Sequence, residues 1–251
     1  MTENHVIAQT GLPGGPTTEY RGSKGVLCVA VITGLAIALV GVIPFLLNYN
    51  EAGPTERAIS WGIGLLILGI AVLVPRKAAR DYGRRVVIGP EGLAYTVGDM
   101  GETVRWDEVE AVYQRVAKRY IHGIYLGTIR RYTVHYDGDR RLTFDGKLAD
   151  VDGLGARIQR DAAGRLLPRA RAAYDAGASL AFGALGVSRY GLSNGRETVA
   201  WNDVQSVRLD QGTITVHKRG KWRNWSCVPV AKMPNVRVFL ALVDDAIGVA
   251  S

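Results

Sequence analysis

The chain has 251 residues, 47% hydrophobic and 22% charged, with 31 basic against 23 acidic side chains and a net charge of +8. That length holds one large domain or two small ones, while a mean hydropathy of +0.05 is too high for a typical soluble protein and too low for a polytopic transporter. The two cysteines, Cys28 and Cys227, exclude a disulfide framework and a CxxC zinc site and read as small buried hydrophobes.

From the N-terminus, residues 1–24 are polar and contain Gly11-Leu12-Pro13-Gly14-Gly15-Pro16, which reads as a disordered tail. Gly25 to Leu47 is a run of 23 residues without a charge. As a helix it spans about 34 Å, enough for a hydrocarbon core of about 30 Å. Ala58 to Val74 is a second uncharged run, 17 residues long, with Trp61 near one end as an interfacial aromatic. The linker Asn48–Arg57 is too short to be a domain, so residues 25–74 read as a transmembrane helical hairpin. A cleaved signal peptide fits poorly, because a long polar lead precedes the first run and a second run follows. Residues 75–85 then carry Arg76, Lys77, Arg80, Arg84 and Arg85 against Asp81 alone, whereas the linker has Arg57 as its one basic residue. The positive-inside rule puts the basic flank, and with a hairpin both termini, in the cytoplasm: a multi-pass protein of the cell membrane. Ala30, Gly34 and Ala38 share one face of the first helix, and Ser60 and Gly64 one face of the second. Such faces pack helices in lipid, within the hairpin or between copies of the chain.

After the helices the sequence contains an internal repeat. Val104-Arg105-Trp106-Asp107-Glu108-Val109 corresponds to Val199-Ala200-Trp201-Asn202-Asp203-Val204, and each stretch follows a Gly-Leu pair, Gly92-Leu93 and Gly191-Leu192. Trp106 and Trp201 read as core fillers, with Asp107 and Asn202 bonding the turn at a structural corner. Strands are expected at Tyr132–Tyr136 and Arg141–Phe144 around Asp137-Gly138-Asp139, and at Thr213–Val216 and Trp222–Val230 around Lys218-Arg219-Gly220. Val151, Leu154, Ile158 and Ala162 have helical spacing. So do Val236, Phe239, Leu240, Val243 and Ile247, with Asn235 as N-cap and Gly248 as stop. Each unit is therefore several antiparallel strands closed by one helix, the first over 86–165 and the second over 166–251. The expected fold class is α+β.

The W-[DN]-[ED]-V corners, Ser179–Gly183 followed by Gly191-Leu192, and the series Gly220, Trp222, Trp225, Val228–Val230, Pro234, Asn235, Phe239 and Leu240 carry a resemblance. The layout resembles the pleckstrin-homology-like fold. The chain looks like an uncharacterised family of membrane proteins with two helices followed by paired domains of this kind. The resemblance implies a fold and no catalytic residues.

A search for chemistry returns little. His5, His122, His135 and His217 have no second ligand at HxxxH or HExxH spacing, and no GxSxG, P-loop or GxGxxG is present. No metal site and no enzyme is expected. Two basic clusters remain beyond the juxtamembrane one: Arg115, Lys118, Arg119, Arg130, Arg131, Arg140 and Arg141, and then Lys218, Arg219, Lys221 and Arg223 with Trp222. Tethering makes an anionic lipid surface a nearer partner than nucleic acid. The expected function is thus a non-enzymatic, membrane-integral module binding anionic lipid head groups or a protein partner through Arg76, Lys77, Arg80, Arg84, Arg85, Lys218, Arg219, Lys221, Trp222 and Arg223. The alternative is a structural subunit that forms homo-oligomers through its helices.

Overall fold

A computed structural model describes residues 17–48, 53–122 and 124–250. The first element is a strand, β1 (Thr18–Arg21), paired antiparallel with β2 (Arg84–Ile88) so that Arg21 lies opposite Arg85. This corrects the expectation of disorder through residue 24. Tyr20 packs against the first hydrophobic core, and β2 supplies a ladder for backbone groups that a free tail would leave to water. Residues 1–16, the rest of the expected tail, lie outside the described residues. Helices α1 (Lys24–Asn48) and α2 (Pro54–Tyr82) are an insertion between these two neighbouring strands. The chain leaves and re-enters the sheet at one crossing, where a Cβ on Gly22 would stand 2.4 Å from the Tyr82 carbonyl oxygen.

The apolar run of the second helix ends at Val74, yet the helix continues to Tyr82 and Gly83 closes it, its N–H bonding the Ala79 carbonyl. Residues 75–85 are accordingly a helix end carrying Arg76, Lys77 and Arg80, followed by a strand that begins with Arg84 and Arg85. Pro75 has no N–H to give the Ala71 carbonyl. Gly34 of α1 lies against that same carbonyl, where a Cβ would stand 2.8 Å from the oxygen. Gly34 is buried, and Ala30 and Ala38 beside it are half-buried, so this small-residue face is used inside the chain.

The remainder is α+β, with antiparallel sheets in a four, three, four, three sequence among the described residues. The first sheet is β1-β2-β3-β4, with β3 at Gly92–Val97 and β4 at Met100–Arg105. The second is β5 (Val109–Ile121), β6 (Ile124–Tyr136) and β7 (Arg140–Asp145). Helix α3 (Val151–Asp175) follows. A sheet of β8 (Leu180–Phe182), β9 (Leu185–Ser188), β10 (Gly191–Ser193) and β11 (Thr198–Ala200) comes next. A last sheet of β12 (Val204–Asp210), β13 (Thr213–Lys218) and β14 (Asn224–Pro229) is closed by α4 (Val236–Ala250).

Two cores result. Trp106, Tyr136, Phe144, Leu93, Leu154 and Ile158 centre the first; Phe182, Leu185, Leu192, Ile214, Met233 and Phe239 centre the second. Helix α3 serves both. Its early residues Leu154, Ile158 and Ala162 sit in the first core, Ala163, Leu167, Ala170 and Tyr174 pack on the second, and Leu166 touches each. The expected boundary at residue 165 therefore falls inside one continuous helix, because the apolar stripe rotates from one core to the other without a break.

Asn235 stands at the expected N-cap position, its carbonyl accepting from the Phe239 N–H, but its side chain is used elsewhere. Its side chain does not cap α4. Instead its Oδ1 accepts from the Val112 N–H (2.8 Å) and its Nδ2 donates to the Glu110 carbonyl (2.9 Å), while its own N–H donates to the Val112 carbonyl (2.9 Å). Here β5 has a bulge between Val109 and Ala111 that leaves Glu110 without a register partner, and Val112, opposite Val134, follows just past it. Helix α4 runs past Gly248, so that glycine is not its stop.

Candidate functional site

The most distinctive surface is made by the helices. Trp61–Tyr82 is 22 residues, long and apolar enough to cross a membrane, and 11% of its most apolar window is buried. An inward row, Gly64, Ile67, Ala71 and Val74 of α2 and Leu27, Ala30, Gly34 and Ile37 of α1, is buried or half-buried. Val29, Ile32, Leu35 and Leu39 of α1 and Ile63, Leu65, Leu66 and Leu73 of α2 are exposed. Cys28 lies on this exposed surface, and Cys227 is exposed on β14; both were expected to be buried. On the helix one side faces the partner helix and the rest faces out. On β14 the alternation puts Val228 in the core and Cys227 outside.

Below the helices lies a basic collar. Arg76, Lys77 and Arg80 on the last turns of α2, and Arg85 on β2, are exposed. Arg84 is different: its guanidinium turns inward to the Asp81 carboxylate at 2.5 Å, and the Lys147 ammonium reaches the other oxygen of Asp81 at 2.9 Å. The Nε of Arg84 is buried with no hydrogen-bond partner among the described residues. Arg84 thus belongs to an internal ion triad, and Lys147 is a member that sequence spacing did not reveal. The Lys147 carbonyl accepts from the Ser23 N–H at 2.7 Å, and Leu148 bridges to Gly22. The start of α1, the end of α2 and the segment after β7 are fastened together at one junction.

The second expected cluster lies elsewhere, on the turn between β13 and β14. Arg219, Lys221, Trp222 and Arg223 are exposed there, with the Arg223 guanidinium 4.8 Å from the Trp222 ring centroid. Lys218 reaches Asp203 at 3.8 Å, and the Arg219 N–H bonds the Asp203 carbonyl. The other end of β13 approaches the first unit, where a Cβ on Gly212 would stand 3.9 Å from Val116.

The corner residues divide by role. Trp106 and Trp201 are buried, and their indole N–H groups donate to the Gly89 and Ser188 carbonyls at 3.1 and 2.9 Å. Gly92 and Gly191 must be glycines, since a Cβ would stand 2.3 Å from the Val104 carbonyl oxygen and 1.8 Å from that of Val199. Asp107 is exposed, and a hydrogen bond from its own backbone N–H, then one from Arg105 (3.2 Å), holds its carboxyl below the usual range. Asn202 is exposed and lines a cleft of about 660 Å³ whose walls include Arg171, Tyr174, Tyr190, Trp201 and Leu242. An Arg171–Asp245 pair at 2.8 Å spans α3 and α4 beside it. No histidine, cysteine or serine lines this cleft among the described residues.

A family model described as a family of unknown function (DUF6585) matches residues 1–248, a stretch that takes in the helices and both cores. No curated protein matches the chain.

Proposed function

The chain belongs to the DUF6585 family, of unknown function, so its role has to be read from its own surfaces, and we propose that it is a non-enzymatic membrane-integral module that presents two pleckstrin-homology-like units to anionic lipid head groups or a protein partner at the inner face. The observation that carries this reading is the outward apolar surface of α1 and α2 ending at the exposed collar Arg76, Lys77, Arg80 and Arg85. In water such a surface would cost about 25 cal/mol for each Å² left uncovered. Lipid removes that cost, and the long basic stems reach the head-group level.

Strand pairing supports one topology. Because β1 and β2 are hydrogen-bonded neighbours, both lie on one side of any bilayer, and the chain between them crosses an even number of times. That supports a two-helix hairpin, and the basic collar favours the cytoplasmic side for both termini. Four strands, three strands and a helix, twice in succession, support the pleckstrin-homology-like reading and the internal duplication. The turn bearing Lys218, Arg219, Lys221, Trp222 and Arg223 offers a second contact surface. Oligomerisation through the helices has less support, because Gly34 is spent on packing within the chain.

The test is labelling in intact cells with an impermeant maleimide, in a chain with Cys28 and Cys227 replaced by Ala. Ala52→Cys should react from outside and Asp139→Cys should not; reaction of position 139 from outside overturns the topology. For head groups, the full chain in nanodiscs should melt at a higher temperature with anionic than with neutral lipid. The difference should shrink with salt and with Gln at positions 76, 77, 80 and 85. Equal melting in both lipids leaves a protein partner as the reading.

A further inference from the structure

The hairpin of β5 and β6 is longer than its sheet. Each strand has 13 residues, but β7 pairs only with Arg131 to Tyr136 of β6. On the other side, β5 is held by Asn235 at Val112 and approached by Gly212 at Val116. From there outward β5 and β6 pair with each other alone, through Ile121 opposite Ile124. A lone two-stranded ribbon is marginal in water.

Its tip is not that of a water-facing hairpin. Ile124, Leu126 and Ile129 are 67%, 54% and 43% exposed, and Tyr125 beside them bonds Thr128 through its hydroxyl at 2.7 Å. The opposite end of β6 turns through Asp137-Gly138-Asp139 and is exposed and polar, as loop chemistry leads one to expect. One strand therefore carries an apolar end and an acidic end. From Ala111 to Tyr136 the chain has five basic residues and no acidic one. Lys118 and Arg119 are exposed on the free part, and Arg130 at its base pairs with Asp152 at 3.0 Å.

Direction is set by the junction described above. β7 ends at Asp145 opposite Arg131, and directly after it Lys147 and Leu148 meet Ser23, Gly22 and Asp81, where α1 begins and α2 ends. The ribbon runs on past that level, from Arg130 to Ile124, for about 20 Å at the usual rise of a strand. It extends towards the end of the unit from which the helices leave, while Asp137–Asp139 marks the other end.

We infer that the outer half of the β5–β6 ribbon is a second membrane contact, whose apolar tip Ile124–Leu126 enters the interface of an anionic bilayer with Lys118 and Arg119, opposite Thr128 and Gly127, at the head groups. This rests on the membrane reading of α1 and α2. Amphipathic elements bind such interfaces by burying apolar area beside lipid-facing cations, and the tether of the helices keeps the ribbon close to its target.

The experiment uses the full chain without Cys28 and Cys227 in nanodiscs, with a polarity-sensitive dye on a single cysteine and spin-labelled lipid as quencher. Dye at Leu126→Cys should be quenched in anionic discs, and dye at Asp139→Cys should not. Adding Lys118→Gln and Arg119→Gln should lower the inserted-to-free ratio at position 126 by roughly thirtyfold, from the head-group attraction of two cations. Leu66→Cys on the exposed face of α2 reports the membrane reading itself. Quenching at 66 without quenching at 126 overturns the ribbon contact and leaves the anchor standing. Equal quenching at 126 and 139 overturns it as well. Absence of quenching at 66 overturns the membrane reading, and the inference falls with it.

Discussion

The helix pair and the two sheet-built units use the same apolar side chains in opposite ways. In the units, Leu93, Leu154, Leu185 and Leu192 are fully buried and each contributes about 1.5–3 kcal/mol by leaving water. In α1 and α2, Leu35, Leu39, Leu65 and Leu66 point outward, and the contact between the helices runs along smaller residues such as Gly34 and Ala71. Composition alone would make both regions cores. The difference teaches that the units close on themselves, while the helices leave most of their apolar side chains uncovered by the chain and are joined to the units through one polar junction.

The largest effect should separate the two regions by truncation. Trp106→Ala and Trp201→Ala should each destabilise the units by about 3–5 kcal/mol in denaturant unfolding, as usual for buried aromatics. Leu66→Ala on the outer face of α2 should cost under about 1 kcal/mol in the same assay, because its neighbours are not protein atoms. A large loss at Leu66 would mean that α2 is covered by protein after all. Next is the helix contact. Gly34→Leu drives a side chain into the Ala71 carbonyl and should cost about 1–3 kcal/mol as overpacking. Its signature is loss of disulfide cross-linking between cysteines placed at Ala30 and Val74, with the unfolding of the units unchanged.

A third prediction joins the units to each other. Asn235→Ala removes two hydrogen bonds that cross between them and should cost about 1–3 kcal/mol, read as faster amide exchange at Val112. Asn235→Gly tolerates the left-handed backbone there, φ 52°, so any gap between the two variants isolates backbone strain from the lost bonds. The smallest effect is in pH. Burial first, then a hydrogen bond to the Glu102 carboxylate, pushes the Tyr136 phenol up to about 12 from 10. The folded state keeps the phenol protonated where the unfolded chain would ionise. Its contribution is therefore complete below pH 10 and is lost as pH rises towards 12, by about 1–2 kcal/mol. Tyr136→Phe should flatten that part of the stability profile; an unchanged slope would show that another group causes it.

Legibility differed between these features for one physical reason, range along the chain. The uncharged runs, the Trp corners, the Gly-Leu pairs and the helical spacing from Val151 and from Val236 depend on near neighbours, so periodicity and turn chemistry express them in the sequence itself. Even the need for glycine at positions 92 and 191 has a local sign, though the carbonyl that imposes it is on the next strand. The helix ends were read less well: Val74 ended the apolar pattern, but a helix continues while its backbone bonds do, to Tyr82.

What the tertiary structure alone decided lies between residues far apart. Thr18–Arg21 has no strand pattern worth the name; β2, more than sixty residues on, gives it a partner. Arg84 looked like its exposed neighbours until Lys147 and Asp81 drew it inward. Asn235 carries the signature of a cap and spends its side chain on β5, bonding Val112, 123 residues away, beside a bulge. The stripe of α3 shows that one face is apolar and says nothing of its being shared by two cores. Composition and periodicity report which side of an element avoids water, since that preference belongs to the residue. Which surface meets that side is a property of pairs, and it appears only once the chain has folded.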